Sequence, residues 1–313
     1  MAHSEVLPPA LAGERIDRVV AMITGASRTR VSEWLEAGLV TCNGVVITTR
    51  SRRVDEGDTV VVDVDLELGP EPLVAEPDIE VPIVHVDEDL IVIDKPAGLV
   101  VHPGAGNATG TLVQAMLAVH PEIASVGEPE RPGVVHRLDK DTSGLMLMAR
   151  SNAAYAELSE MMAAHEIERT YLTLVWGIPE ARSGLVDAPI GRSAREPTKM
   201  VVSAQGREAR TRYTVLETFT EPVPCALVEC RLETGRTHQI RVHMAAIGHA
   251  VVGDDRYRGT RPAIATPRIF LHSAALALDH PVRPDEHLEF TSELPADLLS
   301  VLERLRNPTP TVA

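Results

Sequence analysis

Apolar positions along the chain follow two rhythms, and the places where one gives way to the other divide it into segments. Ile16, Val19, Val20 and Ile23 keep the three-and-four spacing of one helix face, which predicts a helix over Glu14–Met22. Ser27 reads as the N-cap of a second helix, Thr29–Ala37, stopped by Gly38. Asn43-Gly44, set between L-V-T-C and V-V-I-T, predicts a hairpin turn, and Asp55–Asp58 a further turn before a strand over Thr59–Val64. Leu66–Pro82 breaks both rhythms with four prolines, Pro70, Pro72, Pro77 and Pro82, and reads as a stiff linker. Beyond it come short strands (Ile83–Val86, Leu90–Ile93, Val134–Leu138, Leu145–Ala149), helices (Thr111–His120, Ala153–His165, Thr237–Ile247) and long alternating strands over Ile167–Trp176 and Glu208–Thr218. That mixture predicts an α+β fold with a largely antiparallel mixed sheet. The expected organisation is a small N-terminal α/β domain over 14–65, a linker over 66–82, a large domain over 83–306 and a disordered tail over 307–313, with no internal repeats.

Composition narrows the class. A length of 313 residues suits about two domains, and 44% apolar residues can fill a core. No run approaches the roughly 18 apolar residues of a membrane span, and Met1–Glu14 lacks the basic start and apolar stretch of a secretory signal, so a soluble cytoplasmic protein is expected. Cys42, Cys225 and Cys230 lack zinc-site spacing and read as buried thiols. His238 and His243 stand five apart and cannot share a helix face as metal ligands do. No metal is implied. Oligomeric state stays open; no exposed apolar stripe demands a partner, and a monomer is expected.

The net charge of −15 opposes a polyanionic ligand, but its distribution weakens the objection. Asp65–Glu80 carries six acids and no base, whereas Arg28–Arg53 has five arginines against two glutamates and Arg192–Arg212 six basic residues against two. Lysines number three beside 27 arginines, which suits bidentate phosphate recognition and equally reflects codon bias. Aromatics, at 3%, are too few for a sheet surface that stacks successive bases.

Candidate chemistry concentrates in V-V-H-R-L-D-K-D-T-S-G-L-M-L, Val134–Leu147. Asp139 stands among His136, Arg137 and Lys140, with Thr142-Ser143-Gly144 closing a turn, an arrangement that keeps a carboxylate ionised and aimed outward. The same residues also suit an ordinary turn. A competing motif, Gly104, Gly106 and Gly110 before a helix, has its third glycine one place late for a dinucleotide loop, and no strand ending in an acid follows.

H-R-L-D-K-D-T-S-G-L resembles the signature of the RluA-type pseudouridine synthases. D-K-P-A-G-L-V-V-H-P-G-A-G-N at Asp94–Asn107 resembles the same family, particularly its RluD-like members, and R-L-E-T-G-R-T-H-Q-I-R-V-H-M at Arg231–Met244 resembles its third block. The likeness covers about residues 14 to 305. It implies the pseudouridine synthase fold, isomerisation of uridine to pseudouridine in RNA, and no cofactor. The RluD-like features imply 23S ribosomal RNA, within a pre-ribosomal large subunit, as partner and helix-69 stem-loop uridines as targets. Other ribosomal or transfer RNA sites are the alternative, as is a non-catalytic ribosome-assembly factor using the first domain alone. That domain, two short helices and a hairpin with S-R-T-R-V opening the second helix, resembles an S4-type RNA-binding domain. Arg28 and Arg30 at its first turn would meet phosphate together with free backbone amides.

The resemblance assigns Asp139, Tyr171 and Arg241 to the reaction: a carboxylate at the ribose, a group that moves the proton from the base carbon, and a cation that orients the carboxylate. Whether Asp139 attacks the sugar carbon or removes a ribose proton is left open. On the expected helix, Ile240, Met244 and Ile247 form the buried stripe and Arg241 lies at its edge, where a half-buried arginine needs a partner; Asp139 is that partner and would stay charged at neutral pH. Many family members have Lys two places before the Tyr; here Arg169 keeps the charge. Since the target base must leave its stack, Arg137 is expected to fill the gap or hold phosphate. His136, Arg236, His238 and Gln239 are expected to bind the substrate.

Overall fold

In the computed structural model, which describes residues 2–26, 28–64, 73–104 and 106–307 (backbone only at 28 and 29), the chain divides between Leu73 and Val74 into two units. In the first, helix α1 (Ile16–Thr24) buries Ile16, Val19 and Val20, the stripe its spacing dictates, and ends at Gly25 in the left-handed region, φ 71°. These side chains meet Val31 and Leu35 of α2 (Arg28–Glu36) and the sheet residues Val40, Cys42, Val60 and Val62. The expected N-cap, Ser27, lies outside the described residues. Strands β2 (Val40–Cys42) and β3 (Val45–Val46) are joined through Asn43 (φ 52°) and Gly44 (φ 77°), the two consecutive positive φ angles of a type I′ turn. The four-stranded sheet runs β1-β4-β2-β3, with β4 at Thr59–Val62. Its first strand, β1 (His3–Val6), precedes the expected domain start at residue 14; three of its four residues are exposed, so no apolar alternation marks it.

Residues 66–72 of the expected linker lie outside the described residues. Residues 74–82 behave differently from a free linker. Glu76 donates its backbone N–H at 2.9 Å to the carbonyl of Gln114 in α3 (Leu112–Val119) and accepts from Gly110 N–H through its carboxylate, and Pro82 O accepts from Asp94 N–H, so this stretch is bonded into the second unit. Of the expected tail, Asn307 donates to Glu303 O and residues 308–313 lie outside the described residues.

The second unit is built on a nine-stranded sheet. Its order begins β5 (Ile83–Val86), β6 (Leu90–Lys95) and β7 (Ser143–Ala149). It continues through β14 (Leu271–Asp279), β8 (Glu168–Trp176), β13 (Cys225–Leu232), β12 (Arg210–Phe219) and β9 (Ser183–Asp187). Strand β15 (His287–Thr291) adds to β14. Every pairing is antiparallel except β7 with β14, which gives the largely antiparallel α+β architecture. Residues Ile190–Arg192 (β10) and Met200–Val202 (β11) form a separate ribbon. One core packs α4 (Asn152–Ala164) on β6 and β7 through Leu158, Met161, Leu145 and Leu147. The other packs Leu298, Val301, Leu302 and Leu305 of α6 (Ala296–Arg306) near Leu174, Trp176 and Phe270. The three cysteines are buried thiols. No helix among the described residues is long and apolar enough to cross a membrane.

Two expectations are corrected. Val134–Leu138 is not a strand: Gly133 turns the chain at φ 70°, and only Val134 bridges to Met148. The expected buried stripe of Ile240, Met244 and Ile247 is also incomplete. Helix α5 spans Gln239–Ala246 and buries every residue from Gln239 to Met244, while Ile247 is 38% exposed. The helix is thus enclosed on several sides, and Arg241 is buried within the unit rather than set at a stripe's edge.

Candidate active site

The turn carrying Asp139 is held from beneath. Lys95, at the end of β6, is fully buried, and its ammonium donates to Pro96 O, Leu99 O and Lys140 O at 2.8–3.0 Å, while Gly98 N–H also donates to Lys140 O. Burial pulls the Lys95 pKa down to about 8, against the pull of Asp141 and Asp139. Arg268 donates to Asp141 O and Ser143 Oγ. Gly144, φ 110°, permits the close parallel approach of β14, because a Cβ there would lie 2.2 Å from Ser273 O. Strand ends, the buried Lys95 and the half-buried Arg268 therefore fix the loop that presents the carboxylate.

Arg241 reaches that carboxylate from α5. Its Nη1 donates to Asp139 Oδ2 at 3.0 Å, while Nε and Nη2 grip Asp254 side-on at 2.7 and 2.9 Å. Asp254, 1% exposed, also accepts from the backbone N–H groups of Arg256 and Tyr257. Burial works against the charge on Arg241, and the two carboxylates outweigh it, raising its pKa. Asp254 is the partner that sequence reasoning missed. Its only cue was physical, since one carboxylate cannot satisfy the five donors of a buried guanidinium.

The nucleophile candidate faces a cleft of about 440 Å³, the size of a small-ligand pocket. Asp139, Tyr171, Arg241, His136, Arg137, Arg236, His238 and Gln239 all line it. Arg28 and Arg30 belong to α2 of the first unit, and the Arg28 side chain lies outside the described residues. Tyr171 is 5% exposed on β8, where burial raises its pKa with Arg169 opposing, so the phenol keeps its proton at neutral pH. His238 caps α5 in the left-handed region, φ 58°, with Nε2 3.8 Å from Asp139 and Nδ1 3.0 Å from the Tyr257 hydroxyl; burial lowers its pKa despite Asp139. Arg137 is exposed at the rim, and Arg236 is held there by donating to Glu208 O.

Two expected substrate contacts are largely spent on the protein itself. Gln239 donates to Arg210 O and Thr211 Oγ1 and accepts from Thr234 Oγ1 and Arg236 N–H, which uses all four of its amide sites. It shapes the Thr234–His238 loop and has no edge left for RNA. His136 Nε2 accepts from Leu147 N–H at 2.9 Å, leaving Nδ1 as the protonated nitrogen of a neutral ring; burial, with help from Arg169, pushes its pKa down to about 3.

Comparison with known proteins gives the family. The profile of the RNA pseudouridylate synthase family matches residues 89–246, and that of the S4 domain matches residues 14–60. The chain is 42% identical over 314 residues to a Xanthomonas campestris protein named ribosomal large subunit pseudouridine synthase D, covering 96% of this chain and 92% of that one. It is 40% identical over 298 residues to YlyB of Bacillus subtilis, named an uncharacterized RNA pseudouridine synthase, covering 94% of each. Human RNA pseudouridylate synthase domain containing 4 shares the fold at a TM-score of 0.55 and 28% identity, over 72% of this chain and 93% of that one. With its acid, phenol and guanidinium gathered in one cleft and these relatives matching it nearly end to end, the chain belongs to the RNA pseudouridylate synthase family.

Proposed function

We propose that this pseudouridine synthase modifies large-subunit ribosomal RNA at uridines of the helix-69 stem-loop, with Asp139, Tyr171 and Arg241 as its catalytic residues. The observation that carries the assignment of residues is the Asp254–Arg241–Asp139 chain, which points one free carboxylate face into a nucleoside-sized cleft. The RNA target rests on the relatives named ribosomal large subunit pseudouridine synthase D. The reading places the protein in the cytoplasm, on a pre-ribosomal large subunit, as a monomer.

The chemistry is an isomerisation. The bond from C1′ to N1 breaks with its electron pair leaving on the base, and Asp139 compensates the sugar. The base turns, C5 bonds to C1′, the C5 proton departs and N1 gains one. Tyr171, protonated at neutral pH, serves as a relay that receives the C5 proton while passing on its own. The uridine must first swing out of its stack, at a cost of a few kcal/mol. Arg137 and Arg236 at the rim hold the flanking RNA, and Arg137 fills the vacated position; His238 keeps company with Asp139 at the ribose. Arg28 and Arg30 contact phosphate from the S4 domain.

Pseudouridine mapping of ribosomal RNA from cells lacking this protein tests the target. Loss of the helix-69 modifications alone is the expected result. Unchanged helix 69 with losses elsewhere would move the target to other RNA sites.

A further inference from the structure

Arg169 is a buried cation without a counter-charge. It is 4% exposed, its Nε has no hydrogen-bond partner, and among the described residues no carboxylate pairs with its guanidinium. Leaving an arginine in that state costs desolvation with nothing to offset it. The surroundings accommodate it nevertheless. Gly235 lies against it, so that a Cβ there would stand 2.8 Å from Nη1 and the guanidinium would have to shift. His136, its neutral neighbour, has spent its acceptor nitrogen on Leu147 N–H and cannot receive a bond from Arg169. The guanidinium lines the same cleft as Asp139. It sits two residues before Tyr171 on one face of β8, roughly 7 Å along the strand.

We propose that Arg169 stabilises the uracil anion in the interval when the base is attached to neither sugar position, by donating to its carbonyl oxygens. The inference rests on the assignment of Asp139 to the ribose. When the C1′–N1 bond breaks, the departing uracil carries one negative charge, spread over N1, O2 and O4. Rejoining through C5 returns that electron pair to C1′ and releases the carboxylate, so the cation is needed only while the base is free. A desolvated guanidinium suits a flat, delocalised anion. A phosphodiester, bulky and hydrated, belongs at the rim, where Arg137 is exposed and Arg236 half-buried.

The test uses full-length protein and large-subunit ribosomal RNA transcribed with uridine or with 5-fluorouridine, whose fluorine at C5 makes the departing base less basic and also replaces the proton that leaves after C5 joins C1′, so both rates are read as disappearance of the N1-linked nucleoside. Arg169→Met should slow single turnover on uridine RNA on the order of 10²–10³-fold, with the half-saturating RNA concentration changed by less than about threefold. On 5-fluorouridine RNA the loss should shrink to less than about a tenth of that, because the better leaving group needs the cation less. Arg169→Lys should recover activity to within about tenfold of the parent. The thermal midpoint of Arg169→Met should equal or exceed the parent's, since an unpaired charge has been removed; Arg169→Gln supplies the same comparison if Met is not tolerated. A rise in half-saturating concentration with an unchanged rate would make Arg169 a phosphate ligand and overturn the proposal. So would an equal loss on both RNAs, no loss on either, or a loss that merely tracks a fall in thermal midpoint. Asp139→Asn, run alongside, separates the two readings: if it retains activity, the assignment of Asp139 fails whatever the Arg169 contrast shows.

Discussion

Arg241 decides how the carboxylate at the mouth of the cleft is presented. Two of its nitrogens are committed to Asp254, which leaves Nη1 directed at Asp139 and removes the freedom an arginine side chain would otherwise have. The paired arrangement is stiff because Asp254 is itself fixed by two backbone donors. Asp254→Asn should therefore cost more than one hydrogen bond: it leaves a buried guanidinium half-compensated. The expected loss in urea unfolding is about 3–5 kcal/mol, with a slower single turnover at saturating RNA. A variant as stable and as fast as the parent would show that Arg241 needs no second acid. Of these residues, Asp139 and Arg241 were legible because each falls in a block that resembles the family, whereas Tyr171 lies outside those blocks and was assigned from the register of the wider resemblance. Asp254 was not, since V-V-G-D-D-R-Y-R carries no periodicity and its contact with Arg241 arises from tertiary packing.

At the scale of elements, the segment before Asp139 shows where local pattern misleads. Val134–Leu138 reads as an apolar strand, yet Gly133 bends it away and the His136 ring, not a backbone carbonyl, satisfies Leu147 N–H of β7. That bond has a pH signature. The folded-state pKa of His136 lies near 3, far below the roughly 6.5 of an unfolded imidazole, so only the unfolded chain takes up the proton between them. The stability it contributes is therefore complete above pH 6.5 and is lost as pH falls toward 3, amounting to about 2 kcal/mol by pH 5. His136→Gln, which keeps an acceptor but cannot titrate, should lose less stability than the parent between pH 7 and 5 by about that amount in denaturant unfolding. Parallel curves would contradict the assignment. Other elements were hidden for a different reason. Strand β14, L-H-S-A-A-L-A-L-D, is rich in helix-favouring alanine and leucine, and its extended form is imposed by β7, β8 and β15 on its two edges. The long alternating strand β8 and the helix α4 needed no such neighbours to be read.

Across the whole molecule, two units with separate cores divide the work: one matches the S4 domain, and the other holds the cleft. The overall charge of −15 is compatible with an RNA substrate because acids cluster in residues 65–80 while arginines populate the rim. A chain starting at Val74 takes no core residue from the first unit, so it should unfold at a midpoint within a few degrees of the parent's second unit. Its affinity for ribosomal RNA should fall by about tenfold or more, from the loss of a second binding module. An unchanged affinity in a binding titration would leave the S4 domain without the role proposed for it. The most direct test of the account concerns one carboxylate. Ribosomal RNA from cells whose only copy of this protein carries Asp139→Asn should lack the pseudouridines present with the parent, while the variant protein is folded and still binds RNA. Full modification by that variant would contradict the account.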